Sequence, residues 1–435
     1  MNSWTSILSS VAVLLLAASQ ITSAADWPSW RGPKGDGSSE GPLPILKWSA
    51  TENVKWKAPL PERGNGSPIV TGQKVLITQA IEGENSRMVV CFDRSSGKEL
   101  WRAGTVYAEP EASHDTNPQG SSSPVTDGER VIAWFGSAGL FCFDLNGKEL
   151  WRRDLGKHQH DWGYGASPLL HGGVCYLNFG PGKKSLLIAL DKTTGATLWQ
   201  NEIPEPQPTR RTDGFAGNLK NGRIGSWSSP LMVKAGDHEE LVMSYPETIR
   251  AYHPKTGAEL WRCEGLNPLV YASTLAQGDI VVGMGGFTGN SIAVRAGGKG
   301  DVTESRRMWM IEKTANRCGT GVIHGDHIYV VNMNGVAECL ELKTGARVWQ
   351  ERLPAAGAKG DTWAASVLAG DRVYNVNQSG DVIVFKASPK FEILSVNSVG
   401  AEISNSTVAI ADGEVFLRTH NHLWCFSDTK KVALK

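Results

Sequence analysis

Imidazole and carboxylate groups crowd into two short stretches of this chain. His114, Asp115 and Asn117 form one; His158, His160, Asp161, Trp162 and Tyr164 form the other, so three of the ten histidines lie within them. Together they have the donors for zinc or another divalent metal, and the acid and base groups of a metal- or carboxylate-dependent hydrolase or lyase. Their spacing is not that of a helical metal motif such as His-x-x-x-His. The same groups equally suit hydrogen bonds that pin loops. A third set is aromatic and cationic. Arg210, Arg211, Asp213, Arg223 and Trp227 share one long polar stretch, and Tyr271, Arg317, Asp361 and Trp363 follow further along. Aromatic faces mixed with Arg and Asp suit a carbohydrate or a peptide, although Trp162, Trp227 and Trp363 would also serve to fill gaps between packed sheets.

Other motifs carry no chemistry. Gly283-Met-Gly-Gly-Phe-Thr-Gly289 lacks the third glycine of a dinucleotide loop, Gly298-Lys299 is followed by Gly300 rather than Ser or Thr, and neither opens a helix. Both read as hairpin turns. No Gly-x-Ser-x-Gly nucleophile elbow is present.

What must position the candidate residues is a repeat. Cys91-Phe-Asp93 precedes Gly97 and Trp101, and Cys142-Phe-Asp144 precedes Gly147 and Trp151. The same order returns at Asp191, Gly195 and Trp199, at His253, Gly257 and Trp261, and at Glu341, Gly345 and Trp349. Each copy describes a β-hairpin: an apolar strand ends on a residue that caps a turn, glycine supplies a positive φ, and the tryptophan belongs to the next strand. Upstream of each hairpin stands a Ser-Pro phrase, as at Ser67-Pro68, Ser123-Pro124, Ser167-Pro168 and Ser229-Pro230, with weaker copies near Ala272, Gly319, Ala364 and Asn405. These mark innermost strands. Sheets apolar on both faces are covered when a ring of them packs blade against blade. The expected fold is therefore an all-β, eight-bladed β-propeller of four-stranded antiparallel blades, or a seven-bladed one if the degenerate repeat at Ala296–Asp301 is not a blade. The tryptophan slot is filled by Trp56, Trp101, Trp151, Trp199, Trp261, Trp309 and Trp349, with Leu394 expected to take it in the seventh repeat. The last repeat, Val408 to Phe426, lacks an outer strand, and Val54–Ala58 is an orphan outer strand, so the two ends should share one blade.

The Asp-x-x-Thr-Gly-x-x-Leu-Trp pattern resembles the repeat of pyrroloquinoline-quinone (PQQ)-type propellers over nearly all of Trp27 to Phe426. Asp26-Trp-Pro-Ser-Trp-Arg-Gly-Pro33, Asp301-Val-Thr303 and Phe385-Lys-Ala-Ser-Pro389 further resemble a group of exported bacterial proteins of this type. The resemblance implies a fold that serves quinoprotein dehydrogenases, outer-membrane assembly propellers and extracellular sensors alike. In the dehydrogenases it implies a quinone above the channel, two adjacent cysteines in a disulfide, and carboxylate and amide ligands for calcium. No two cysteines are adjacent here, and no Cys-x-x-Cys-His haem site appears.

The seven cysteines have a simpler account. Cys91, Cys142, Cys339 and Cys425 occupy the slot that holds Ala189 and Ala251 elsewhere, which reads as buried free thiols. Lys plus Arg and Asp plus Glu both number 44, with no basic cluster, which argues against nucleic acid. Residues 1–25 hold no charge, and Val11–Ala18 followed by Thr22-Ser23-Ala24-Ala25 reads as a signal peptide cleaved near Ala25. Residues 26–435 then form one propeller domain, periplasmic or secreted, with no membrane span and no lipidated cysteine expected.

Loops that join the outer strand of one blade to the inner strand of the next converge over a propeller's channel. His114, Asp115, His158, His160, Asp161, Trp162, Trp227, Tyr271, Arg317 and Trp363 are therefore the candidate ligand-binding residues. The favoured function is a non-catalytic exported propeller binding a protein, peptide or glycan across its channel face, with no cofactor. The alternative is a PQQ- or metal-dependent enzyme at the same place.

Overall fold

A computed structural model describes residues 25–182, 184–203 and 224–428. The chain is nearly all β, and its strands form an eight-bladed propeller. Blade 1 runs from the channel outward as Ile69–Thr71, Lys74–Ile81, Ser86–Asp93 and Glu99–Val106, each strand antiparallel to the last. The inner strands of blades 2 to 8 are Val125–Thr126, Leu169–His171, Leu231–Ala235, Leu275–Gln277, Val322–His324, Val367–Ala369 and Ala409–Ala411. The degenerate fifth repeat is a complete blade. Its insertion, Gly300–Asp301, adds in parallel to the outer strand Glu259–Glu264 of blade 4.

Ring closure follows the expectation from the chain ends. Val54–Pro59 pairs antiparallel with His422–Phe426 and becomes the outer strand of blade 8, with Trp56 opposite Cys425. In blades 1 to 4 the same register places Cys91, Cys142, Ala189 and Ala251 opposite Trp101, Trp151, Trp199 and Trp261. One correction arises in blade 7. There the residue opposite Val384 is Ser395, one position beyond Leu394, because the turn is one residue longer: the Lys386 N–H bonds the Glu392 carbonyl where in blade 1 the Asp93 N–H bonds that of Lys98.

The Gly-to-Trp signature proves to be a contact between blades. The ring of Trp56 lies against Gly97 of blade 1, and that of Trp101 against Gly147 of blade 2; a Cβ at Gly97 would sit 2.6 Å from the indole. The Nε1 of Trp56 donates to the Arg94 carbonyl and that of Trp101 to the Leu145 carbonyl. Each turn thus receives its neighbour's tryptophan, and glycine meets two demands there, a positive φ and room for the ring. All seven cysteines are free, and all but Cys318 are buried.

The Ser-Pro phrase supplies a second belt of contacts, around the channel. The backbone N–H of Ser67 donates to Ser123 Oγ, Ser123 to Ser167 Oγ, Ser167 to Ser229 Oγ and Ser229 to Ser273 Oγ, at 2.8–3.0 Å. Ser273 continues to Thr320 Oγ1, and Ala365 links through Thr407 Oγ1 to Ser67. Between blades 6 and 7 the belt lacks its hydroxyl, since Ala365 stands in the slot. Arg31 bridges that junction, donating to the carbonyls of Gly321 at 2.6 Å and Ser366 at 2.8 Å.

Arg31 belongs to an N-terminal segment that crosses the channel. Trp27 pairs with Val70 of blade 1, Pro28 accepts the Thr126 N–H of blade 2, and Ser39 donates to Leu368 of blade 7. Asp26 caps the inner turn of blade 1 at Gly72, and Leu43 lies against the equivalent turn of blade 7 at Gly370. These turns lie at the far end of the inner strands from the interblade loops, so the segment closes the face opposite them.

Candidate functional site

Antiparallel strands bring two kinds of loop to the open face: those entering each inner strand, and those joining the second strand of a blade to the third. Together they surround a cavity of about 340 Å³ above the hydroxyl belt. Trp30 reaches it from the closed side, its Nε1 donating to Thr407 Oγ1 at 3.1 Å.

One wall is aromatic. A short parallel bridge, Gly225–Ser226 beside Leu269–Val270, sets Trp227 next to Tyr271, with ring centroids 5.0 Å apart. The Gly286 N–H donates to the Leu269 carbonyl, which brings Phe287 to within 5.7 Å of Tyr271. Trp162 completes the group at 6.0 Å from Trp227, and Trp363 lines the cavity from blade 7. All five rings are only partly buried. Partial burial is shared with interblade tryptophans such as Trp101 and Trp199; what sets these five apart is that they line one cavity. The facing wall, from blades 8, 1, 2 and 3, is polar but uncharged: Asn65, Asn117 and Asn405 with the hydroxyls of Ser67, Ser123 and Ser167.

The sequence-derived candidates separate into three groups. His114, Trp162, Trp227, Tyr271 and Trp363 line the cavity, with the His114 and Trp162 rings 6.4 Å apart. His160 stands behind them. It is buried, its ring meets Trp227 edge-on at 4.9 Å, and its Nδ1 accepts the Trp162 N–H. His158, Arg317, Asp115 and Asp161 are not among the lining residues. His158 is buried among Trp134, Tyr164 and Phe179, and this burial, with His160 nearby, pushes its pKa down to about 4; the Gly180 and Pro181 backbone recovers little of the shift. Arg317 is buried in an ion pair with Glu338 at 2.6 Å and bonds Asn332 and Ser291. Asp115 and Asp161 are exposed, and the carbonyl of Asp115 accepts from Arg63. Arg210, Arg211, Asp213 and Arg223 lie outside the described residues.

Sequence reasoning missed Trp30, Phe287, Asn65, Asn405 and the serine belt as parts of the cavity, and named Asn117 only as a neighbour of His114 on its loop. The serines were visible as a repeat phrase, and Trp30 as part of the opening motif. Only Phe287 carried no signal, standing in a glycine cluster read as a plain turn.

The family model described as outer membrane protein assembly factor BamB matches residues 44–161, 85–351 and 245–431. The chain belongs to this family of PQQ-like β-propeller repeat proteins. No curated protein matches it. Among solved structures it is similar to BamB from Moraxella catarrhalis, at 14% identity and a TM-score of 0.59, covering 86% of this chain and 97% of that one. It is also similar to the quinohemoprotein alcohol dehydrogenase of Comamonas testosteroni, at 11% identity and a TM-score of 0.66, covering 92% and 80%. A europium-containing methanol dehydrogenase gives 11% and 0.66, covering 93% and 98%. At such identities the likeness is one of fold.

PQQ-like relatives make the quinone a cofactor to test against the cavity. Pyrroloquinoline quinone is a flat polycarboxylate, so it needs cations or a metal at its rim as well as rings at its faces. The described lining offers rings, amides and hydroxyls, but no Lys, Arg, Asp or Glu, and Cys318 is its single cysteine. These residues do not fit the quinone. Among the described residues no three His, Cys, Asp or Glu side chains gather as a metal site would require.

Proposed function

We propose that this PQQ-like propeller is a non-catalytic binding protein, exported by the signal-like segment at its N-terminus, whose ligand seats in the aromatic cavity on the open face. The ligand is a glycan, a peptide or a segment of a larger protein. The observation that carries this reading is the set of partly exposed aromatic rings that line one cavity above a closed channel, with no cluster of metal donors among the described residues; the one hydroxyl–imidazole contact named there, His114 Nδ1 to Thr116 Oγ1 at 2.9 Å, sits at the exposed rim. Likeness in fold to BamB and to dehydrogenases is compatible with binding and with catalysis, so the site's chemistry decides between them. Among the described residues, no helix is long and apolar enough to cross a membrane.

The test is a thermal-shift screen of the chain from Asp26 onward against short oligosaccharides and short peptides. A ligand of the folded state raises the melting temperature by mass action. Binding predicts a shift that Trp363→Ala removes, with the ligand recovered chemically unchanged after long incubation. Conversion of the ligand to a product, or no shift with any probe, would sink the proposal.

A further inference from the structure

Resting on the reading of this cavity as a binding site, we infer that it takes a neutral glycan, seated with a sugar ring against the aromatic wall. Three features of the cavity point to that class. First, it is two-sided. Trp162, Trp227, Tyr271 and Phe287 pack ring against ring on one side, the serine and asparagine groups come from blades 8, 1, 2 and 3, and Trp363 adds a further ring from blade 7. A pyranose has the same duality, with a face of C–H bonds that packs on an aromatic and a rim of hydroxyls that needs partners.

Second, the polar wall is equipped for hydroxyls. In the belt, Ser67, Ser123 and Ser167 each use Oγ to accept a backbone N–H from a neighbouring blade, and each is at least nine-tenths buried. The hydroxyl protons are not consumed by that bond and remain as donors beside the cavity. The Asn65 amide nitrogen is held by the Thr116 carbonyl, and its Oδ1 has no hydrogen-bond partner among the described residues. This wall thus offers hydroxyl donors and an amide acceptor to a polyol.

Third, the described lining includes no Lys, Arg, Asp or Glu. A peptide terminus, an acidic side chain or a uronate would lose hydration there without a counter-charge, which disfavours charged ligands. The rings are also fixed in advance. His160 holds Trp227 from behind, its Nδ1 anchors the Trp162 backbone, and Asn117 Nδ2 donates to the Trp162 carbonyl at 2.7 Å. Little side-chain order is then left to be lost on binding.

Calorimetric titration of the chain from Asp26 onward tests this. The probes are neutral pentasaccharides of β-1,4-glucose, β-1,3-glucose, α-1,4-glucose and β-1,4-N-acetylglucosamine, beside a pentagalacturonate and a mixture of unstructured peptides. The expected result is binding of a neutral member that is indifferent to added salt and falls at least about tenfold in Trp363→Ala. Trp363→Phe, which keeps a ring, should retain most of it. If peptides or the galacturonate bind in a Trp363-dependent way and none of the neutral sugars does, the glycan assignment fails while the binding-protein reading stands. If a neutral sugar binds equally well to the wild type and to folded Trp363→Ala, it binds elsewhere and the assignment is overturned. If nothing binds, both fall.

Discussion

At the scale of single residues, burial rather than residue type decides the roles of the histidines. His114 is exposed on the cavity rim, His160 holds the aromatic wall from behind, and His158 is an interior residue. The last has a consequence for stability. An unfolded imidazole takes a proton near pH 6.5, whereas folded His158 resists until about 4. Between those values the unfolded chain binds a proton that the folded one does not. Stability present above pH 6.5 is therefore lost as the pH falls toward 4, by up to about 3 kcal/mol from this group. His420, lowered to about 4 by its own burial, adds a drop of the same sign. Thermal melts at neutral and mildly acidic pH should show a smaller acid-induced drop for His158→Phe than for the wild type. Equal drops would mean that His158 is not buried in its neutral form.

At the scale of elements, blades are joined by a repeated device and by exceptions to it. The repeated device is the serine belt, which satisfies the N–H at the start of one inner strand with a hydroxyl from the next blade. Where Ala365 removes the hydroxyl, Arg31 of the N-terminal segment bridges the junction in another way, donating to carbonyls on both blades rather than accepting an N–H; it is buried, which lowers its pKa to about 10. At the closing seam, Arg418 of blade 8 plays a similar part, donating to the carbonyls of Gly66 and Thr78 and to Gln79 Oε1 at 2.7–2.9 Å. Arg31→Met should lower the unfolding free energy by about 2 kcal/mol or more, because charge-assisted bonds to buried carbonyls are lost together. Adding Ala365→Ser to that variant should recover part of the loss by restoring the belt's hydroxyl. A denaturant midpoint for Arg31→Met equal to that of the wild type would show that the seam between blades 6 and 7 holds without it.

At the scale of the whole molecule, the ring closes through a strand supplied from the opposite end of the chain. Val54–Pro59 covers the edge of His422–Phe426 and places Trp56 against the turn of blade 1. Removing Asn53 to Pro61 should leave an unpaired, apolar edge on blade 8 and a gap beside Gly97. Lower melting temperature or loss of solubility is expected, since open strand edges promote aggregation. A truncated chain that melts with the wild type would show that closure contributes nothing to stability.

The propeller, the blade count and the closing strand were legible in the residues because the repeat imposes the same short-range chemistry each time: a capped turn, a glycine that must accept a ring, and the ring itself. Trp56, Gly97 and Cys425 announce their places by type and spacing. The assignment of Leu394 missed by one residue because the turn of blade 7 is one residue longer than that of blade 1, which brings Ser395 opposite Val384. The cavity was only half legible. Loops entering the blades could be picked out by their length and polarity, which identified His114, Trp162, Trp227, Tyr271 and Trp363. Whether a side chain on such a loop turns into the cavity, props a neighbour or packs into the interior depends on contacts with other blades. His160 is fixed by Trp227, 67 residues away, and Arg317, on the loop into blade 6, by Ser291 of blade 5 as well as by Glu338 of blade 6. Phe287 and Trp30 arrive from a hairpin loop and from a segment crossing the channel, two routes that no local spacing encodes. Local sequence thus determined the repeat and its ring. The cavity, with its aromatic and polar linings, was decided by the tertiary structure, since its walls come from blades far apart in the chain that meet only when the ring closes.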